Sequence, residues 1–155
     1  MLLNTTRFGE IEVDETRSIK FQKGLPGFSD CREFVLIQPS QDSHFFWLQS
    51  VENPDLAFIV TEPAIFAPSY RVPVKADQLQ EMGLNSIDDA QVFIIVNKHG
   101  NTLTGNLQGP VVVNVANRNA MQLVLSDKQF STRMPLMELP EQETKVQPQR
   151  IAAAV

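Results

Sequence analysis

Short apolar runs at intervals of about ten residues, separated by turn-forming segments, constrain this chain more than any other feature of its sequence. Residues 34–38, 45–49, 56–60 and 91–96 are runs of this kind: FVLIQ, FFWLQ, LAFIV and QVFIIV. Continuous apolar runs are typical of strands that are covered on both faces of a sheet. They are far shorter than the ~20 residues that a membrane-spanning helix needs. The pattern predicts a mostly β fold, either a sandwich or a barrel of many short strands.

The N-terminal region shows a different strand pattern, in which apolar and polar residues alternate. Glu10–Val13 and Ser18–Phe21 alternate in this way, as half-buried strands do. Asp14–Arg17 lies between them, so we predict that the two strands form a hairpin with this segment as its loop. The segment Lys23–Phe28 contains two glycines and a proline, and it predicts a tight reversal of the chain.

One helix and a possible second helical turn are predicted between residues 77 and 89. Asp77 is placed to cap the first turn, Leu79 and Met82 share a face, and Gly83 stands where a helix commonly stops. Ser86 is placed to cap a further turn that ends at Asp89. The fold is therefore expected to contain one or two short helices.

The chain divides into a globular part and a tail on composition. From Glu138 onward Pro, Glu, Gln and Lys dominate, and too few apolar residues remain to join a core. We predict a domain over residues 1–137 and a flexible tail over residues 138–155. The start of the chain shows no secretory signal, and the single cysteine, Cys31, fits a reducing compartment. Cytoplasmic localisation, with no membrane association, is the prediction.

Charge and reactive side chains argue against two classes of function. A net charge of -5 and a pI near 5.0 disfavour direct nucleic-acid binding, which needs clustered Lys and Arg. His44, His99 and Cys31 do not stand at the spacing of metal ligands, and no nucleophile elbow or phosphate-binding glycine loop occurs. We predict no enzyme activity, cofactor or metal, although carboxylate catalysis leaves no local signature.

Two segments are candidates for binding a partner protein. Gly109–Pro110 predicts a structural corner, because proline lacks a backbone donor and glycine permits a bend. The amide side chains around this corner can satisfy either a neighbouring turn or a docked peptide, and both interpretations remain open. These residues are Asn106, Gln108 and Asn114.

The second candidate is the apolar segment PAIFAPSY, residues 63–70. Its prolines hold the backbone extended, and Ile65, Phe66 and Tyr70 carry more apolar area than a loop requires. Rigid aromatic patches of this kind commonly anchor partner segments. The alternative is that these side chains close one end of a barrel.

Several segments together resemble the flagellar assembly factor FliW family, over roughly residues 5 to 137. The resemblance is carried by an ordered set of segments rather than by a single motif. These are GLPGF (24–28), FFWLQS (45–50), LAFIV and EPAIFAPSY (56–70), NLQGPVVVN (106–114), QLVL (122–125) and RMPL (133–136). Phe130 departs from the pattern, since the family often has tyrosine there, and this departure removes one hydroxyl.

This resemblance implies a compact antiparallel pseudo-β-barrel without catalytic activity. It implies two protein partners, flagellin and the translational repressor CsrA. A protein of this family relieves repression by binding CsrA outside its RNA-contacting surface, and flagellin then competes for the same protein. The resemblance therefore implies a coupling of flagellin translation to the level of flagellin.

Two other functions follow from the residues without the resemblance. Ten phenylalanines could line a cavity instead of filling it, which would give a small-ligand-binding β-barrel, or carboxylates could serve an enzyme. RNA binding through an aromatic sheet face is a third class, and the negative charge disfavours it.

Overall fold

The structure is a computed structural model that describes residues 1–140 and 152–153. The tail predicted for residues 138–155 begins at the end of a strand, and its residues 141–151 and 154–155 lie outside the described residues. The described strands are β1 (Leu2–Thr5), β2 (Gly9–Glu12), β3 (Ile19–Phe21), β4 (Glu33–Gln38), β5 (Phe45–Ser50), β6 (Ala57–Thr61), β7 (Ala90–His99), β8 (Thr102–Gly105), β9 (Val111–Asn114), β10 (Asn119–Gln122), β11 (Met134–Glu138) and β12 (Ala152–Ala153). The described α-helix is α1 (Ala76–Met82), and single 3-10 turns span Glu15–Arg17, Pro63–Ile65 and Ile87–Asp89.

A closed ring of strands forms the body of the molecule. The order is β3-β4-β5-β6-β7-β9-β10, and β10 returns to β3. The ring closes because the first half of β7 pairs with β9, while its second half pairs with β8, and β8 pairs with the edge strand β11. Every pair in the ring is antiparallel except β3 with β10, which is parallel. The predicted mostly β pseudo-barrel is confirmed.

The inside of the ring is packed with large apolar side chains. Phe21 and Phe34 are fully buried and meet edge to face, with ring centroids 5.4 Å apart. Phe93 is also buried and contacts Phe46 at 6.0 Å in the same manner. Such edge-to-face contacts add about 0.5–1.5 kcal/mol to the gain from area burial. The barrel is therefore filled by Phe21, Phe34 and Phe93, with Phe46 and Phe58 packed against them.

The apolar run in β4 is buried on both faces, as the sequence predicts. Phe34 and Leu36 point into the barrel, whereas Val35 and Ile37 point outward because successive side chains alternate. The outward pair is covered by the N-terminal hairpin, to which Leu3 belongs.

The N-terminal hairpin is not the one predicted from the sequence. β2 pairs with β1, so that Leu3 lies opposite Ile11, and β3 joins the barrel instead. Between them, the Asp14 carboxylate accepts a hydrogen bond from the Thr16 amide at 2.9 Å and starts a 3-10 turn. This turn connects the two-stranded sheet to the barrel sheet. The alternating pattern of the two neighbouring strands did not predict that they lie in different sheets.

Helix α1 covers the opposite outer face of the barrel. Met82 is buried there together with Leu84, Val112 and Leu123. The helix ends at Gly83, which takes the left-handed conformation (φ 71°), as predicted. The predicted start of the helix was wrong, because Lys75 rather than Asp77 holds the N-cap position. Asp77 lies within the first turn.

The last barrel-associated strand, β11, was not predicted as a strand. It contains Pro135 and a bulge between Pro135 and Met137, both of which are tolerated at a sheet edge. The helix in the described residues is too short to span a membrane.

Candidate functional site

The segment between β6 and α1 forms a compact loop, which we call the proline loop (residues 62–72). Pro63 begins a 3-10 turn, and its carbonyl accepts hydrogen bonds from the amides of Phe66 and Ala67. The Ala67 carbonyl in turn accepts from the Tyr70 amide at 2.9 Å. Two successive turns therefore fold the loop on itself, and the fixed φ of proline limits its conformations before any partner binds.

Tyr70 attaches the proline loop to the second candidate segment. Its hydroxyl donates a hydrogen bond to the Leu107 carbonyl at 2.6 Å, and its ring meets Phe130 edge to face at 5.4 Å. Burial disfavours the phenolate and raises the pKa of Tyr70 to about 12. The hydroxyl is thus a neutral donor near neutral pH, and the two segments singled out in the sequence lie side by side.

Ile65 and Phe66 present the apolar surface of this loop. The side chain of Ile65 is exposed, with 45% of the residue's surface accessible. Phe66 is half-buried, and its ring lies 5.8 Å from that of Phe45 at the start of β5. Phe66 therefore packs the proline loop against β5, while the side chain of Ile65 projects into solvent from an ordered loop.

The three candidate amide side chains have different surroundings. The Asn106 side-chain carbonyl accepts from the Gln108 amide at 3.0 Å, so Asn106 stabilises its own turn. Gln108 is half-buried, and no side-chain hydrogen bond is formed by it within the described part of the chain.

Asn114 lies away from the other candidates. It is 4% exposed; its amide nitrogen donates to the Met82 carbonyl at 2.9 Å, and its oxygen accepts from the Ala116 amide. Asn114 therefore closes the C-terminal end of α1, so we leave it out of the candidate surface. A partner contact by this residue stays an untested prediction.

The corner at Gly109–Pro110 is structural, as the sequence predicts. Pro110 is fully buried, and its carbonyl accepts from the Leu123 amide at 2.9 Å. Gln122 donates to the Gly109 carbonyl at 3.0 Å, and its amide nitrogen would lie 2.9 Å from a β-carbon at Gly109. The corner connects β8 to β9, is held against the end of β10 by these two hydrogen bonds, and positions the turn that receives the Tyr70 hydrogen bond.

Two open grooves flank the proline loop. One, of about 470 Å³, lies between the loop and the first half of β7, and it includes Pro63, Tyr70, Val72 and Val92. The other, of about 320 Å³, lies between Tyr70 and the turn that carries Phe130. Tyr70 lines both grooves. The part played by Val72 and β7 was missed from sequence, because only the tertiary fold places them beside the loop.

The reactive side chains noted in the sequence are dispersed. His44 and His99 are exposed and Cys31 is buried. Within the described residues, no three His, Cys, Asp or Glu side chains come together in a way that could hold a metal ion. The Glu62 carboxylate accepts a hydrogen bond from the Gln91 side chain at 2.7 Å, on the wall of the larger groove.

The fold and this surface define a mostly β pseudo-barrel with a filled interior and a rigid apolar loop that projects from it. A family model described as FliW protein matches residues 2–136. The chain belongs to the FliW family of flagellar assembly factors.

Known FliW proteins align with nearly the whole length of this chain. The flagellar assembly factor FliW of Bdellovibrio bacteriovorus is 38% identical over 150 residues, which cover 96% of this chain and 86% of that protein. The flagellar assembly factor FliW of Alkaliphilus metalliredigens is 34% identical over 155 residues, covering 96% of each chain. A crystal structure of the flagellar assembly factor FliW superposes with a TM-score of 0.80 at 32% identity, covering 92% of this chain and 99% of the other.

Proposed function

We propose that this protein acts in the cytoplasm, without catalysis, by binding flagellin and by binding CsrA. Binding to CsrA is non-competitive with RNA and relieves repression of flagellin translation. Accumulated flagellin removes the protein from CsrA, so synthesis follows the flagellin level. Membership of the FliW family supports the flagellar role, and the exposed Ile65 on an ordered loop is the observation that carries the binding surface.

The proline loop is suited to binding a partner because it is already ordered and loses little conformational entropy when a partner binds. Association costs about 0.5–1.5 kcal/mol for each flexible side chain that is immobilised. The hydrogen bond from Tyr70 to Leu107 and the contact of Phe66 with Phe45 have already paid part of that cost during folding. Ile65 can then bury its apolar surface in a partner at little further loss of entropy.

Partner exchange follows if flagellin and CsrA both cover the proline loop. Two proteins that need Ile65 exclude each other without any conformational change in the barrel. The negative net charge of -5 then acts on RNA near the bound CsrA. Screening confines that effect to about a Debye length, ~8 Å at physiological salt, so the position of the docked barrel matters more than its total charge.

The alternatives drawn from the residues find less support. Phe21, Phe34 and Phe93, which could have lined a ligand cavity, pack together in the core of the barrel, and Phe21 and Phe34 are fully buried. The Glu62 carboxylate, which lines the larger groove, already accepts a hydrogen bond from Gln91.

Titration calorimetry of the purified chain with folded flagellin and with folded CsrA tests the proposal. We expect Ile65→Asn to weaken binding of both partners by about tenfold or more, since burial of such a side chain contributes about 1.5–3 kcal/mol. Leu2→Asn is the matched control, because Leu2 is 64% exposed but lies on the separate β1–β2 sheet.

The two parts of the proposal fail in different ways. Absence of binding by the unaltered chain to either partner would contradict the function. Normal binding by the Ile65→Asn variant would be consistent with the proposed function, but it would show that the binding surface does not include Ile65.

A further inference from the structure

The larger groove exposes one edge of the barrel sheet at the first half of β7. On one side β7 pairs with β9, where Gln91 lies opposite Val113. On the other side β6 pairs only as far as Thr61 opposite Ile94. Two further residues in the same register would place Pro63 opposite Val92.

Pro63 cannot continue the pairing with β7. It has no backbone N–H, and its carbonyl already accepts hydrogen bonds from Phe66 (3.0 Å) and Ala67 (2.7 Å). The Glu62 carbonyl is likewise occupied, by the Ile65 amide at 3.3 Å. The chain therefore leaves the sheet at this point and turns into the proline loop.

The backbone of Val92 faces the groove left by that departure. The Ile95 carbonyl accepts from the Asn106 amide, on the side of β7 that faces β8 and β9. Because backbone groups of successive residues point to alternate sides of a strand, the N–H and C=O of Val92 point to the opposite side. Among the described residues, neither group has a backbone partner beyond the strand pairings.

The walls of the groove carry apolar surface and negative charge. Val72 and Ile87 provide apolar side chains, and Glu62 and Asp88 provide carboxylates. Neither carboxylate forms an ion pair within the described part of the chain. Arg71 also lines the groove and keeps its positive charge, while its guanidinium donates to the carbonyls of Pro68 and Tyr70, at 3.0 and 2.9 Å. Two carboxylates against one guanidinium leave the lining negative.

We propose that this groove binds an extended, basic segment of a partner protein, which adds a strand to the edge of β7. The segment exchanges hydrogen bonds with Val92, lays an apolar side chain between Val72 and Ile87, and directs a Lys or Arg toward Glu62 and Asp88. Strand addition of this kind takes affinity from the main chain and specificity from alternate side chains. The inference rests on the proposed function, because one wall of the groove is the proline loop.

Amide hydrogen exchange of the full chain, followed by NMR, tests the backbone contact. Two probes are used: a synthetic decapeptide of alternating Lys and Val, and the same peptide with Glu in place of Lys. We expect the Val92 amide to exchange at least tenfold more slowly with the Lys peptide and to be unaffected by the Glu peptide. The Gln91 amide is the internal control, because its residue pairs with Val113 in the free protein.

Charge reversal tests the acidic wall without altering the sheet. Asp88→Lys removes a carboxylate that lines the groove, and Asp89→Lys is the matched control, because the neighbouring Asp89 is exposed and does not line it. We expect Asp88→Lys to weaken binding of the Lys peptide, and of at least one of flagellin and CsrA, about tenfold more than Asp89→Lys does.

The outcomes separate this inference from the proposed function. Binding of flagellin or CsrA with an unprotected Val92 amide and equal effects of the two Lys variants would overturn the inference alone. Protection of Val92 that rises with protein concentration in the absence of any probe would assign the edge to a second copy of this chain, and would also overturn it. Protection by the Lys peptide with no binding of either protein would support the groove and contradict the proposed function.

Discussion

At the residue scale, Tyr70 joins two segments that are separated by 37 positions in the sequence. Its hydroxyl reaches the Leu107 carbonyl and its ring reaches Phe130, so a single side chain positions the proline loop against the corner that follows β8. Both segments were identified in the sequence as candidates. Their contact was not, because a hydroxyl in a loop has many potential acceptors and only the closed barrel selects one.

Tyr70 also gives the protein a defined response to alkaline pH. Below the ordinary tyrosine pKa of about 10, both folded and unfolded chains carry the neutral phenol, and its contribution to stability is fully present. Between that pH and the folded pKa of about 12, only the unfolded chain loses the proton, so the free energy of unfolding falls as pH rises. Tyr70 is the single tyrosine, so phenolate absorbance reports this residue alone.

The variant Tyr70→Phe should remove that alkaline response. It keeps the ring contact with Phe130 and loses the hydrogen bond to Leu107, at a cost of about 1 kcal/mol at neutral pH. Urea unfolding at a series of pH values measures both effects. An equally steep loss of stability above pH ~10 in the variant would show that another group causes it.

Substitution of the candidate amide residues Asn114 and Gln108 should distinguish a role in stability from a role in partner binding. Asn114→Ala leaves the Ala116 amide without its partner and the buried Met82 carbonyl with only the longer contact from Asn117 at 3.5 Å, which should cost about 1–3 kcal/mol in the free energy of unfolding. Gln108→Ala should leave stability nearly unchanged, because no side-chain hydrogen bond is lost in the described structure. Thermal unfolding and partner titration on both variants would check this, and a stable Asn114→Ala variant with weakened binding would restore Asn114 as a contact residue.

At the element scale, β7 has two halves with different neighbours. Its first half closes the barrel on β9, and its second half carries β8 and β11 away from the ring. The apolar run 91–96 predicted a strand here, and that prediction is confirmed; Phe93, Ile94 and Val96 are buried, and the other three residues are partly buried. The second half, Val96–His99, ends in polar, exposed residues, but the change of neighbour was not predictable, because it depends on where β8 and β9 meet β7.

Gly105 at the end of β8 has no room for a side chain. A β-carbon there would lie 2.5 Å from the terminal methyl of Ile94 and 3.4 Å from Leu136. Gly105→Ala should therefore destabilise the protein by about 1–3 kcal/mol through overpacking. The double variant with Ile94→Val, which removes that methyl, should recover part of the loss in denaturant unfolding. Additive losses in the double variant would mean that the contact with Ile94 is not the cause.

Local turn chemistry explains which elements could be predicted. Gly83 ends α1 because glycine takes the left-handed conformation without strain, and Ser86 caps the following turn by accepting from the Asp88 amide. The mistaken hairpin of β2 with β3 has the opposite cause. Strand pairing depends on which strands the tertiary fold brings together. The alternation of apolar and polar residues within a strand contains no information about its partner.

At the scale of the whole molecule, the barrel should fold without the end of the chain. The Leu139 amide donates to the Asn101 carbonyl at 2.6 Å, and β12 beyond it contributes two residues to the edge of β4. A chain that ends at residue 140 should lose no more than about 1–2 kcal/mol, the net contribution of one or two hydrogen bonds. Denaturant unfolding of the truncated chain checks this, and a cooperative transition lost altogether would contradict the predicted domain boundary.

The sequence by itself determined the strand-forming runs and the helix end at Gly83, because each depends on residues within a few positions of one another. Only the tertiary structure decided that β7 closes on β9, that Asn114 serves the end of α1, and that Pro63 leaves the edge at Val92 unpaired by β6. These features join residues about twenty to thirty positions apart. Their geometry is set by how the whole sheet twists and closes, and a local pattern of side chains does not encode that closure.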